Sequence, residues 1–126
     1  MSKGARRERQ ARELYEQAGF NVYLPENSKF GDNDLWNLFD LAAFSTTQQP
    51  AYRFVQVKSN QARGIESWAG KARPFAGPQS VAVDFVVCHD REGWRLLQPT
   101  ADSYETVVDG REQNGDMGMP IVEYLD

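Results

Sequence analysis

The chain has 126 residues, 40% of them hydrophobic and 12% aromatic, which suffices for one ordinary domain with its own core. A single cysteine, Cys88, excludes an internal disulfide, and the lack of a signal peptide or an apolar run near the roughly 20 residues of a membrane span favours a cytoplasmic protein. The net charge of −4 does not exclude a nucleic-acid partner, because residues 1–83 carry 11 Lys and Arg against 8 Asp and Glu, whereas residues 84–126 carry 3 against 10.

The first predicted element is a helix from Gly4 to Ala18, which Gly19 ends. Glu8 lies on the shoulder of its apolar stripe at about 100° per residue, so it is the acidic residue of this helix that can face the core. The stripe has helical spacing and consists of Ala11, Leu14, Tyr15 and Ala18. The remaining face carries a solvated basic flank formed by Arg6, Arg7, Arg9 and Arg12.

A short strand, Phe20–Leu24, and a polar loop over residues 26–37 follow the helix. Two strands, Leu38–Phe44 and Tyr52–Lys58, then form a hairpin through the turn at residues 45–50. Each strand is apolar except for a few polar positions, and such positions are costly to bury without a functional reason.

The polar positions of this hairpin are Asp40, Gln56 and Lys58. Gln56 and Lys58 point to the same face of their strand because alternate side chains share a face. If Phe44 pairs with Tyr52, Asp40 falls opposite Gln56 with Cβ atoms about 5 Å apart, whereas other registers separate them.

The later elements are a helix over Ile65–Ala72, a β-branched strand over Ser80–His89 and its antiparallel partner over Trp94–Gln98. A turn at residues 90–93 joins the two strands. We expect residues 1–99 to form the core domain. Residues 100–126 are expected to form an irregular acidic tail, docked through Ile121, Val122, Tyr124 and Leu125.

Carboxylate and amide oxygens suit a hard divalent cation, and Mg²⁺ takes one or two carboxylates while keeping several waters. Glu8, Asp40 and Gln56 therefore form a candidate metal site, with Lys58 free to stabilise charge on a phosphate. The structural alternative is a half-buried ion pair between Asp40 and Lys58 at a sheet edge.

Two segments of the chain resemble a known family. Lys3-Gly4-Ala5-Arg6-Arg7-Glu8, followed by Gly19-Phe20-Asn21-Val22, is similar to the opening of archaeal Holliday junction resolvases. Asp40 with Gln56-Val57-Lys58 resembles the D…(E/Q)xK signature of the PD-(D/E)XK nuclease superfamily. The resemblance implies an α/β, restriction-endonuclease-like core with a mixed twisted sheet flanked by helices. It further implies a homodimer that cleaves branched or structured DNA with Mg²⁺ or Mn²⁺ and no small-molecule cofactor.

The resemblance also implies a set of roles. The implied catalytic residues are Glu8, Ser28, Asp40, Gln56 and Lys58, and the implied metal-binding residues are Glu8, Asp40, Gln56 and Val57. The candidate DNA-binding residues are Lys3, Arg6, Arg7, Lys29, Arg63, Lys71 and Arg73. Gln56 stands where many members of the family have Glu, so the site has one negative charge fewer. The alternative function is therefore a DNA-binding module that has the same fold but no strong catalysis. A restriction or homing-type enzyme is the third alternative.

Several aromatic and loop residues have two interpretations. Ser28 either assists near the phosphate or is an ordinary loop serine. Trp36 either stacks on a base or packs in the protein. Trp68 and Phe75 form either helix core or an exposed dimer patch.

Overall fold

The computed structural model describes residues 2–25, 35–111 and 118–126. Ser28 and Lys29, both predicted for the site, lie outside the described residues. Within these ranges the chain forms three α-helices and six strands. The elements are α1 (Lys3–Gln17), β1 (Asn21–Tyr23), β2 (Leu41–Phe44), β3 (Tyr52–Ser59), α2 (Ile65–Ala72), β4 (Val81–His89), β5 (Gly93–Pro99), β6 (Tyr104–Asp109) and α3 (Met119–Leu125).

The strands form one mixed sheet in the order β1-β2-β3-β4-β5-β6. Only β3 and β4 pair in parallel among the described strands, and α2 lies in the crossover that such a parallel connection requires. The α/β class and the mixed sheet flanked by helices are thus confirmed. No helix in the described part of the chain combines the length and apolarity that a bilayer crossing requires.

The two faces of the sheet bury separate cores because side chains alternate along the strands. One core lies under α1 and α3 and contains Val55, Val57, Val86 and Leu96. The other lies under α2 and contains Phe39, Trp68, Val83, Phe85 and Val87. Trp68 is only 6% exposed and Phe75 packs on Phe39, so these two aromatics belong to the core.

The predicted irregular tail is wrong, because residues 104–109 form the edge strand β6 and residues 119–125 form α3. Glu105 and Thr106 of β6 are adjacent and both exposed, so polar and apolar residues do not alternate along this strand. For this reason the sequence did not predict a strand here. The expected docking is present through Ile121, Val122 and Leu125, which are buried, whereas Tyr124 is 40% exposed.

Helix α3 packs closely against α1. Gly118 precedes α3, and a Cβ atom added there would lie 2.3 Å from Leu14 Cδ2. Since that distance is far inside van der Waals contact, a larger residue at position 118 would force the Leu14 side chain to shift. The close approach lets Ile121, Val122 and Leu125 complete the core beneath α1.

A buried ion pair lies where β3 begins. Arg53 and Asp84 are 5% and 0% exposed, and Arg53 Nη1 donates to both Asp84 oxygens at 3.1 and 3.0 Å. Tyr15 and Gln98 also donate to this carboxylate, at 2.7 and 2.9 Å. Burial and the Asp84 charge raise the pKa of Tyr15 well above its ordinary value, so its hydroxyl stays a donor.

Candidate active site

The hairpin has the register that brings Asp40 beside Gln56. Phe44 pairs with Tyr52 and Leu41 with Val55. The Asp40 N–H donates to the Val55 carbonyl at 2.7 Å, and Asp40 Oδ2 accepts the Val57 N–H at 2.8 Å. Asp40 is therefore bound to the peptide groups on both sides of Gln56, and it is only 8% exposed.

A tight turn positions Asp40. The predicted strand start at Leu38 is wrong, because residues 35–39 close on themselves through hydrogen bonds from Leu38 N–H and Phe39 N–H to the Leu35 carbonyl. Trp68 Nε1 donates to the Leu38 carbonyl at 2.8 Å and fastens this turn to α2. The packing of Phe39 against Trp68 fixes the residue next to Asp40.

Gln56 and Lys58 line one open pocket of about 230 Å³ between β3 and α2. Both side chains are half-buried and point away from the core that contains Val55 and Val57. The alternation expected from the sequence therefore brings the amide and the ammonium to one surface.

Two further cations, Arg63 and Lys71, line the same pocket. Among the described residues, no carboxylate forms an ion pair with Lys58, Arg63 or Lys71. We call this site the cationic pocket; it is lined by Asn37, Leu38, Gln56, Lys58, Arg63, Gly64, Ser67, Trp68, Lys71 and Phe85. Its charge suits a phosphate group.

The oxygen donors beside the pocket fit a hard divalent cation, and together they supply little negative charge. Asp40 supplies one carboxylate and Gln56 one neutral amide oxygen, and one Asp40 oxygen is already held by the Val57 N–H. No three His, Cys, Asp or Glu side chains of the described residues come together. Water would therefore complete the coordination, which is the usual way in which Mg²⁺ is bound.

The peptide carbonyl of Val57 is the candidate third oxygen donor. In a β-strand the N–H and C=O of one residue point to the same side. The Val57 N–H points toward Asp40, so its carbonyl also points toward this end of β2. This geometry supports the inclusion of Val57 in the metal-binding set.

Glu8 is on α1, which covers the opposite face of the sheet from Gln56 and Lys58. It precedes the buried Ala11 by three residues on α1, and α1 covers the face of Val55 and Val57. Its neighbour Arg7 donates to Ser59 Oγ at 3.3 Å, so this part of α1 lies at the carboxyl end of β3. The Glu8 side chain is half-buried there.

The predicted DNA-binding cations fall into different environments. Arg63 and Lys71 are in the cationic pocket, and Arg6 is exposed on α1. Arg73 does not line the pocket, and it donates instead to the Thr100 and Ser103 carbonyls at the end of the sheet where β3 begins. The expectation of a fully solvated flank is wrong for Arg7, whose side chain is only 12% exposed.

Asp90 neutralises two of the predicted cations. Lys3 Nζ lies 2.5 Å from Asp90 Oδ2, and Arg7 forms a second ion pair with the same carboxylate. Asn60 Nδ2 donates to it at 3.1 Å. Hydrogen bonds from Lys3, from Asn60 and then from Arg7 lower the pKa of Asp90 to about 2. Asp90 therefore anchors the start of α1 beside the end of β3.

We expect Asp90→Asn to lower the Tm near neutral pH, by an amount that shrinks as the pH falls from about 4 toward 2. The pKa of Asp90 is depressed in the folded protein, so its stabilisation is present above the unfolded-state pKa and is lost as the pH falls through about 2. Thermal melts across this range test the prediction. Asp102→Asn, in an exposed bend, controls for the loss of one negative charge, and a pH-independent difference would contradict the assignment.

Sequence reasoning missed two residues that build the site. The helical spacing of Ile65, Trp68, Ala69 and Ala72 predicts that Trp68 is buried. Nothing in the sequence indicates its hydrogen bond to the Leu38 carbonyl, 30 residues away. Asp90 was assigned to a strand end and a turn, and not to the site. Its contacts with Lys3 and Arg7 span 87 and 83 residues, and such contacts leave no local pattern.

The mixed sheet with a helix-covered core on each face has the architecture of a restriction-endonuclease-like fold. The solved structure of Hjc, a Holliday junction resolvase from the archaeal hyperthermophile Archaeoglobus fulgidus, is similar over 82% of each chain, with a TM-score of 0.50 and 20% sequence identity. The resemblance to archaeal Holliday junction resolvases is thereby confirmed at the level of the fold. Searches of family models and of curated proteins found no match.

Proposed function

We propose that this protein is a divalent-metal-dependent endonuclease that hydrolyses DNA phosphodiester bonds. The observation that carries the proposal is the arrangement at the carboxyl end of β3, where Asp40 is bound on both sides of Gln56 and Lys58 lies in the cationic pocket. The likeness of the fold to a solved resolvase supports the same conclusion.

Mg²⁺ or Mn²⁺, when bound, polarises a phosphate and lowers the pKa of an attacking water. Asp40, Gln56 and the Val57 carbonyl would hold the cation, and Glu8 would add a carboxylate from α1. The Lys58 ammonium orients the water and donates a hydrogen bond where negative charge builds up on the phosphoryl oxygens. Arg63 and Lys71 hold the DNA backbone by charge.

The direct test is cleavage of four-way junction, flap, single-stranded and duplex DNA in Mg²⁺, in Mn²⁺ and in EDTA. We expect cleavage in a divalent metal and none in EDTA, and a rate at least roughly 100-fold lower in Asp40→Asn. Asp102→Asn, an equal charge change in an exposed bend, should cleave like the wild type. Cleavage that survives EDTA, or that Asp40→Asn retains, would refute the proposal.

Gln56→Glu should lower the Mg²⁺ concentration needed for half-maximal cleavage by about tenfold, because ligand charge strengthens the binding of hard cations. A metal titration of the cleavage rate measures this concentration. Gln79→Glu adds the same charge at an exposed position near the start of β3 and should leave the titration unchanged. Loss of all activity in Gln56→Glu would contradict the ligand role of residue 56.

A DNA-binding module with the nuclease fold and little catalysis is the second candidate. It is favoured by the neutral side chain at Gln56 and by the absence of a three-residue His, Cys, Asp or Glu cluster among the described residues. It predicts salt-sensitive binding to DNA without cleavage in any divalent metal, whereas the nuclease predicts both. The metal series described above therefore separates the two candidates.

The preference for branched DNA and a homodimer are proposed from the resemblance alone. A two-fold symmetric dimer would present two sites to the two strands of a junction. Sedimentation equilibrium with and without junction DNA measures the oligomeric state. A monomer that nicks only one strand per binding event would contradict this part of the proposal.

A further inference from the structure

Trp36 is the exposed tryptophan of this chain. Its side chain is 60% exposed, whereas the other two tryptophans, Trp68 and Trp94, are 6% and 4% exposed. The edges of the Trp36 ring rest on three phenylalanines, with centroid distances of 6.3 Å to Phe39, 5.4 Å to Phe54 and 5.1 Å to Phe75. Most of this large apolar ring therefore remains in contact with solvent.

The backbone at this position is unfavourable for tryptophan. Trp36 and Asn37 have φ values of 54° and 57°, in the left-handed region. Glycine and asparagine adopt this conformation readily, and a bulky residue is a rare outlier there. The turn itself would be better served by Asn or Gly at position 36. An outlier of this kind at the edge of a site indicates a role for the side chain rather than for the backbone.

The ring lies beside the cationic pocket. Asn37, the next residue, lines the pocket together with Gln56 and Lys58. Phe54 supports the Trp36 ring and lies four residues before Lys58 on the same face of β3, which is on the order of 13 Å along the strand. A strand of DNA with a phosphate in the pocket would therefore bring a neighbouring base to Trp36.

We propose that Trp36 stacks on an unpaired or unstacked base of the DNA strand whose phosphate occupies the cationic pocket. This inference rests on the proposed function and specifies its substrate, because bases inside a duplex are covered by their neighbours and cannot offer a face to the ring. An exposed aromatic ring beside a cluster of cations is the arrangement with which proteins bind single-stranded nucleic acid. The enzyme thereby selects DNA that is open next to the cut.

The test uses tryptophan fluorescence in EDTA, where DNA binds without being cleaved. Wild-type protein is titrated with a fully paired duplex and with the same duplex carrying an unpaired bubble. We expect the bubble to change the fluorescence and to protect it from acrylamide, and both effects should vanish in Trp36→Phe, in which Trp68 and Trp94 remain as buried reporters.

Affinity provides the second measurement. Trp36→Asn keeps a residue suited to the left-handed turn and removes the ring, so binding to the bubble should weaken roughly 5- to 100-fold while binding to the duplex stays within about twofold. Trp36→Phe should restore most of the affinity because it keeps an aromatic face. Tyr124→Leu removes a partly exposed aromatic ring on the opposite face and should change neither affinity.

The outcomes separate this inference from the proposed function. Equal weakening of bubble and duplex binding in Trp36→Asn, together with a lower Tm, would show a packing role and overturn the stacking. Strong DNA binding with unchanged acrylamide quenching would overturn the stacking and leave the nuclease proposal standing. Absence of DNA binding by the wild type would overturn both.

Discussion

Lys58→Met is expected to reduce the single-turnover cleavage rate by about 100- to 1000-fold without unfolding the protein. The methionine preserves most of the length and apolar stem of the side chain and removes only the ammonium. Lys58 is half-buried in the cationic pocket, with no ion pair to any described carboxylate, so its charge is available to a phosphate. Rates at saturating DNA, with the Tm as a folding control, measure the effect.

Lys71→Met is the matched control because Lys71 lines the same pocket and loses the same charge. We expect it to raise the DNA concentration needed for half-maximal rate, and to change the saturated rate by less than about threefold, since it acts on binding rather than on the reacting phosphate. If both variants lower only the apparent affinity, Lys58 is a phosphate-binding residue and its catalytic role is wrong.

Arg53→Met is expected to destabilise the protein by on the order of 3–5 kcal/mol, the largest effect on stability that we predict. Asp84 is fully buried, and the variant leaves its charge without the guanidinium that donates to both oxygens. Burial lowers the pKa of Arg53, but the charges of Asp84 and Tyr15 and the hydrogen bonds to Asp84 together outweigh this and raise it, so the guanidinium keeps its charge in the folded protein. Urea unfolding at pH 7 gives the free energy of unfolding.

Two variants show whether the loss comes from the orphaned charge. Arg53→Lys keeps the positive charge, but not the paired donors of the guanidinium, and should cost less than Arg53→Met. The double variant Arg53→Met, Asp84→Leu should recover part of the loss, because it removes both charges, although Tyr15 and Gln98 lose their acceptor. A cost below about 1 kcal/mol in Arg53→Met would contradict this account.

The end of the sheet that carries the candidate site was predictable because its determinants are local. The alternation of Val55, Gln56, Val57 and Lys58 fixes which side chains share a face, and a short hairpin connection limits the register. The Phe44–Tyr52 pairing then places Asp40 beside Gln56 without information from elsewhere in the chain.

The rest of the site depends on contacts that are distant in sequence or contrary to local preference. The turn at residues 35–39 ends in Leu38 and Phe39, whose apolar side chains favour a strand, so the sequence prediction began β2 three residues too early. The cationic pocket combines Lys58 with Lys71 on α2, and the crossover that brings them together is not visible in either segment. Edge strand β6 lacked an apolar alternation because it faces solvent over much of its length.

The packing of α3 on α1 has a consequence for synthesis. Helix α1 is synthesised before α3, whose Ile121, Val122 and Leu125 complete the core beneath it. A nascent chain that stops before residue 118 exposes the apolar groups that these three side chains would cover. Closure of this face must therefore await synthesis of α3, and until then the α1 side offers exposed apolar surface to chaperones.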